Sequence, residues 1–142
     1  AVTAGSTVGP RIYSTGPGLF ASTYVPAAGE EINNLDDARR ILKRYSKYYD
    51  THTLKMYLAG NRQQRQWIVM AAKEQNIMPT TEGALDFRYD MTMAMDGYPG
   101  QEHNIPLTPL YKDVVSLMSQ TGIAYTPTLI VAYGGLNGEN SR

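Results

Sequence analysis

The chain contains no cysteine among its 142 residues, which excludes disulfide bonds and thiol catalysis. It also has no net charge, because 13 basic side chains balance 13 acidic ones. That balance gives no electrostatic reason to expect a nucleic acid or an anionic membrane as partner. No apolar run approaches the roughly 18 residues that a membrane-spanning helix needs. The composition therefore indicates neither a nucleic-acid-binding nor a membrane-spanning protein.

The N-terminus lacks the features of a secretory signal. It begins Ala-Val-Thr-Ala-Gly, without an initiator methionine, a basic stretch or an apolar core. Such a start is typical of a sequence cut from the interior of a larger protein. The length corresponds to one domain with a buried core. We expect a fragment of a single domain over residues 1–142, with a Gly/Pro-rich loop region at 1–30, repeated β/α units at 31–135 and a polar tail at 136–142.

Helical and extended patterns alternate after residue 34. Apolar spacing predicts helices over 35–45, 63–75, 84–95 and 110–120. Short strands are predicted near 11–14, 53–58, 77–81, 101–103 and 123–131. Such β/α repeats imply parallel strands joined by crossovers. A doubly wound sheet is the rival arrangement, but no Gly-x-Gly-x-x-Gly follows a predicted strand. The predicted fold is therefore α/β, a partial (β/α)8 barrel that is incomplete at both ends.

Three polar residues stand at the ends of successive apolar runs, about one β/α repeat apart. They are Lys55, Glu82 and His103, separated by 27 and 21 residues. In a (β/α) barrel the carboxyl ends of the strands converge on one site. A lysine, a carboxylate and a histidine brought together in this way indicate the centre of a metal-dependent hydrolase.

Five segments of the chain resemble the metal-dependent amidohydrolase superfamily in their order and spacing. They are residues 9–16 (GPRIYSTG), 55–57 (KMY), 79–83 (PTTEG), 96–103 (DGYPGQEH) and 125–129 (YTPTL). The likeness is to the imidazolonepropionase-like and prolidase-like branch. Within that branch, the chain resembles the amidohydrolase domain that is found behind a TolB-like β-propeller. The resemblance covers nearly the whole chain and implies a distorted barrel with one or two divalent metal ions, zinc being the best match for the histidine.

The resemblance also implies roles for individual residues. Lys55 matches the strand 4 lysine, which is often carbamylated and bridges two metal ions, and His103 matches the strand 6 histidine. The strand 5 histidine falls at Thr80, with Glu82 two residues further on. The strand 1 His-x-His and the strand 8 aspartate have no counterparts, since the chain holds only 2 histidines. The chain would thus supply about strands 3 to 7, because a closed barrel takes roughly 250 residues. Propeller-bearing relatives are commonly exported, which implies a periplasmic or secreted parent protein.

Several of these side chains have a second interpretation. Inside a barrel Lys55 would be buried, and burial favours the neutral amine, the form that reacts with CO2. At a strand end, its aliphatic chain can instead extend along the surface so that the ammonium group stays in water. Glu82 is a metal ligand and catalytic base, or a carboxylate at the start of the next helix. Two residues are candidates for substrate binding. Arg11 could bind a substrate carboxylate, and its alternative role is a surface ion pair. Tyr133, at the end of the last predicted strand, could line a substrate pocket. A further set is expected on the solvated face of the third helix: Asp86, Arg88 and Asp90.

Two functions follow from these patterns. The first is hydrolysis of C–N bonds, amide or cyclic amide, in a small or peptide-like substrate by a metal-activated water. The isolated chain should then be inactive, because half of the ligands are absent. The second is a non-catalytic, barrel-derived interaction module, which Thr80 in place of a histidine favours. A small independent α/β binding domain is a third interpretation. Open sheet edges would in any of these cases favour self-association.

Overall fold

The computed structural model describes residues 2–10, 12–20, 31–83 and 86–128. These residues form five strands and four helices in alternation: β1 (Leu19–Phe20), α1 (Leu35–Tyr48), β2 (Thr53–Tyr57), α2 (Arg62–Glu74), β3 (Met78–Glu82), α3 (Phe87–Met95), β4 (Gly100–Glu102), α4 (Lys112–Thr121) and β5 (Ala124–Thr126). None of the helices in the described ranges is long and apolar enough to cross a bilayer.

The first strand is not where the sequence predicted it. Residues 12–14 are irregular, and β1 lies further on at Leu19–Phe20, where it pairs with Met56 and Tyr57 of β2. The prediction near 11–14 was therefore wrong for the part that the structure describes. The two large side chains of this segment belong to an exposed loop, since Ile12 and Tyr13 are more than four-fifths exposed.

All five strands are parallel and lie side by side in chain order, β1-β2-β3-β4-β5. A doubly wound sheet reverses its strand order at a switch point, whereas a barrel adds each strand beside the last. No reversal occurs among the described strands. The predicted α/β fold with parallel strands is confirmed, and this order is consistent with part of a barrel.

Local capping sets where the helices begin and end. Asn34 caps α1 by accepting a hydrogen bond from the Asp37 amide at 2.9 Å. Asn61 and Gln64 form a reciprocal capping box at the start of α2. The third helix starts at Phe87, later than the predicted residue 84, because Asp86 is its cap. Gly122 ends α4 with φ of 67°, a conformation that glycine adopts without strain.

The two faces of the sheet differ in character. Leu54 and Met56 of β2 point to the helix-covered face, where they are fully buried. They join a core formed largely by three helices: Ala38, Ile41, Leu42, Tyr45, Ile68, Ala71, Ala72, Tyr89, Met93 and Ala94. The opposite face is polar and only partly buried, and it carries Thr53, Lys55, Tyr57, Thr80, Glu82 and Glu102. A barrel interior would correspond to this second face.

One residue of α3 lies on the opposite side from the one predicted. Asp86 and Arg88 are exposed, as expected, but Asp90 is fully buried. Asp90 precedes Ala94 by four positions and Met93 by three, so it shares their core-facing side of the helix. The assignment of Asp90 to the solvated face was therefore wrong.

Candidate functional site

Lys55, Glu82 and His103 come together at the carboxyl end of the sheet. The sheet register aligns Lys55 with Thr80 and places Glu82 two residues further along β3. Lys55 Nζ forms an ion pair with Glu82 Oε1, and His103 Nε2 lies 3.4 Å from Glu82 Oε2. The carboxylate of Glu82 thus stands between the other two side chains, one on each oxygen.

Lys55 reaches this position from the polar face of β2, as strand alternation predicted. Its side chain is 44% exposed, so the burial expected to favour the neutral amine is not found in the described part of the chain. Its ammonium group instead forms an ion pair with the Glu82 carboxylate.

Glu82 is the most enclosed member of the group, with its side chain 15% exposed. It is the last residue of β3, and α3 begins five residues later at Phe87. The alternative role as a helix cap belongs instead to Asp86, whose carboxylate accepts from the amides of Arg88 and Tyr89. Glu82 is therefore free to face the polar side of the sheet.

His103 is held at two points, by the last residue of β5 and by Thr128 just beyond that strand. Its backbone N–H donates to Thr126 O at 3.0 Å, and its Nδ1 lies 2.5 Å from Thr128 Oγ1. Its backbone has φ of 70°, a left-handed conformation that is uncommon for a residue with a side chain. This turn directs Nε2 at Glu82. Thr128 was not singled out from the sequence, although its place two residues beyond Thr126 in Thr-Pro-Thr was a usable signal.

The donor atoms fit a divalent cation in part. Among the described residues no group of three or more His, Cys, Asp or Glu is placed to hold a metal ion. Two ligands of one tetrahedral zinc ion, each about 2.0–2.2 Å from the metal, lie about 3.4 Å apart. Glu82 Oε2 and His103 Nε2 are separated by that distance. The pair therefore has the spacing of two ligands of one ion, and a carbamate on Lys55 would add a third.

Two positions matched by the resemblance have other surroundings. Thr80 lies in the middle of β3, opposite Gly100, whose Cβ would come within 2.9 Å of the Thr80 methyl group. Gly100 therefore makes room for a branched residue at position 80. The predicted substrate-binding residues Arg11 and Tyr133 lie outside the described residues.

A second carboxylate lies behind the site. Asp90 packs against the backbone of Gly83, the residue after Glu82, so closely that a Cβ at Gly83 would overlap Asp90 Oδ1. Neither carboxylate oxygen of Asp90 has a hydrogen-bond partner within the described part of the chain. Burial, aided by the charge of Asp86, raises the pKa of Asp90 to about 7.

Comparison with known proteins supports the fold. No family model matches the chain, and no curated protein does. An uncharacterised protein superposes with a TM-score of 0.71 at 18% identity over 99% of this chain. A Xaa-Pro dipeptidase with methionine bound in its active site superposes with a TM-score of 0.68 at 17% identity over 96%. The chain spans only 40% and 41% of the two proteins. The described chain thus has the fold of part of a larger protein, and one protein that shares this fold is a hydrolase.

Proposed function

We propose that this chain is one sector of a barrel-type, metal-dependent hydrolase that acts on C–N bonds of small or peptide-like substrates. The observation that carries the proposal is the meeting of Lys55, Glu82 and His103 at the carboxyl end of three neighbouring strands. The amidohydrolase-like motifs and the shared fold with a dipeptidase agree with it.

Glu82 and His103 would hold the cation, through Oε2 and Nε2. Lys55 would join them as its carbamate, a form with one negative charge and two oxygens. A bound divalent cation would supply Lewis-acid polarisation of the scissile carbonyl and a water of lowered pKa.

The side chains of the protein itself would provide the base, the orientation of the ligands and the access for substrate. Glu82 is the candidate base of the site: with Oε2 on the cation, its other oxygen, Oε1, would accept the proton once a carbamylated Lys55 no longer pairs with it. His103 keeps Nε2 directed at Oε2. Half-exposed Lys55 leaves the site open to substrate from this side. Because the described residues provide only part of a ligand set, we expect the 142-residue chain to show no turnover by itself.

Metal content after equilibration with zinc tests this assignment. We expect zinc to bind to the wild-type chain and to be lost in His103→Ala. His52→Ala is the matched control, since His52 is the other histidine and is exposed in front of β2. Equal zinc contents in the three proteins would refute the assignment of His103.

Lys55 needs a separate experiment, because an ammonium and a carbamate act in opposite directions on a cation. We expect bicarbonate to raise the zinc affinity of the wild-type chain and to leave that of Lys55→Arg unchanged. Arginine keeps the positive charge but does not form this carbamate under the same conditions. An equal response of both proteins to bicarbonate would remove Lys55 from the ligand set.

One observation favours a second candidate function, a non-catalytic interaction module. The Lys55–Glu82 ion pair satisfies both charges without a metal ion. In such a module the polar strand ends would be structural, and zinc would bind neither to the wild-type chain nor to a Thr80→His variant.

A further inference from the structure

We propose that Thr128 is the positioning residue for His103: its hydroxyl holds the imidazole with Nε2 directed at Glu82. The inference rests on the proposed site but concerns a residue that neither the motif analysis nor the resemblance assigned a role. It follows from the hydrogen bonds that join β5 and the residues just beyond it to the turn after β4.

Three hydrogen bonds tie that turn to β5 and the residues just beyond it. The His103 amide donates to Thr126 O at 3.0 Å, and the Ile105 amide donates to the Tyr125 hydroxyl at 2.9 Å. The third joins His103 Nδ1 and Thr128 Oγ1 at 2.5 Å. The first two fix the backbone of the turn, and only the third acts on the ring. Without it, rotation about the side-chain bonds would move Nε2 away from Glu82.

A threonine hydroxyl suits this position because it both donates and accepts. It can therefore pair with Nδ1 of a neutral imidazole in either tautomer, as donor where Nδ1 is bare and as acceptor where Nδ1 carries the hydrogen. A cation held by Nε2 would require the second tautomer. A carboxylate or a carbonyl at this place could only accept, and would pair with the second tautomer alone. The hydroxyl can thus hold the ring in one orientation in both tautomers.

The test compares Thr128→Val and Thr128→Ser with Thr126→Val. Thr126→Val is a matched control, because it makes the same change two residues away on an exposed side chain and leaves the Thr126 carbonyl in place. The readout is the ¹⁵N spectrum of the histidine rings in the cation-free chain, at a pH about two units above the usual histidine pKa of about 6.5. With 2 histidines in the chain, exposed His52 serves as the solvated reference.

We expect the Nδ1 resonance of His103 to differ from that of His52 in the wild-type chain and in Thr128→Ser and Thr126→Val. In Thr128→Val it should move to the His52 value, and contacts between the ring and residue 128 should be lost. An Nδ1 resonance that is the same in Thr128→Val and the wild-type chain, or that moves equally in Thr126→Val, would overturn the proposal. If Thr128→Val fails to fold, Thr128→Ala is measured in its place.

A zinc titration of the same proteins separates this inference from the proposed function. If zinc binds to the wild-type chain, we expect Thr128→Val to lower the affinity about 10-fold or more, as loss of a ligand's supporting hydrogen bond does. An unchanged affinity would contradict a positioning role. If zinc binds to none of them, the metal assignment fails, and the ¹⁵N result still decides whether Thr128 orients His103.

Discussion

At the scale of single residues, the candidate site is a cluster of Lys55, Glu82 and His103, three side chains far apart in the chain that neighbouring parallel strands bring into contact. Their partners depend on neighbours far along the chain, which local patterns do not reveal: the half-exposed state of Lys55 and the contact of His103 with Thr128 are examples. The role of the trio as metal ligands stays a prediction.

Asp90 provides a residue-scale test through pH. Its pKa is about 7 in the folded chain, against an ordinary value of 3.8 for an aspartate in an unfolded chain, so the folded state binds the extra proton between these values. The contribution of Asp90 to stability should therefore be greatest below about pH 4, fall as the pH rises to about 7, and stay low above it. The shift corresponds to roughly 4 kcal/mol. Urea unfolding should show this fall for the wild-type chain and a much flatter profile for Asp90→Asn.

Asp113→Asn is the control for that experiment, because Asp113 is exposed in the first turn of α4. It should leave the slope with pH unchanged. The same slope in Asp90→Asn as in the wild-type chain would mean that Asp90 is not the group that titrates.

The contact between Gly83 and Asp90 can be tested with a double-mutant cycle. Gly83→Ala should destabilise the fold by a few kcal/mol, since its Cβ overlaps the Asp90 carboxylate. Asp90→Ala removes that carboxylate, so Gly83→Ala should cost much less in its presence. If the two substitutions change the free energy of unfolding in urea additively, residues 83 and 90 do not interact.

At the scale of elements, the sequence predicted most helices and strands but not all of their ends. Apolar periodicity located α1, α2 and α4, and short apolar runs located β2, β3 and β4. The start of α3 was missed because a side-chain cap, Asp86, decides it. Strand β1 was missed because two residues gain strand character only by pairing with β2. Elements fixed by local pattern were predictable, and those fixed by tertiary pairing were not.

The capping box of α2 provides an element-scale test. Asn61 accepts from the Gln64 amide at 3.0 Å, and the Gln64 side chain accepts from the Asn61 amide at 2.7 Å. We expect Asn61→Ala to lower the free energy of unfolding by about 1 kcal/mol, and Asn61→Ser to have little effect. Equal losses in the two variants would show that the side-chain oxygen is not what starts this helix.

At the scale of the whole molecule, the described sheet has two ends. Strands β1 and β5 have a paired neighbour on one side only among the described strands. Unpaired strand edges favour pairing with another chain. We expect sedimentation velocity to show association that increases with concentration. Ala124→Lys, on exposed β5, should weaken it, and Thr121→Lys, at the exposed end of α4, should not. A single monomeric species at every concentration would contradict this expectation.

In the proposed site, Glu82 and His103 would form two ligands of one divalent cation. The visible absorption spectrum of the chain titrated with Co²⁺, beside Glu82→Gln and His103→Ala, tests this pairing without depending on turnover. We expect a saturable spectrum for the wild-type chain, with bands that indicate protein nitrogen and oxygen ligands, and its loss in both variants. A wild-type spectrum identical to that of hydrated Co²⁺, or one that persists in both variants, would contradict the pairing.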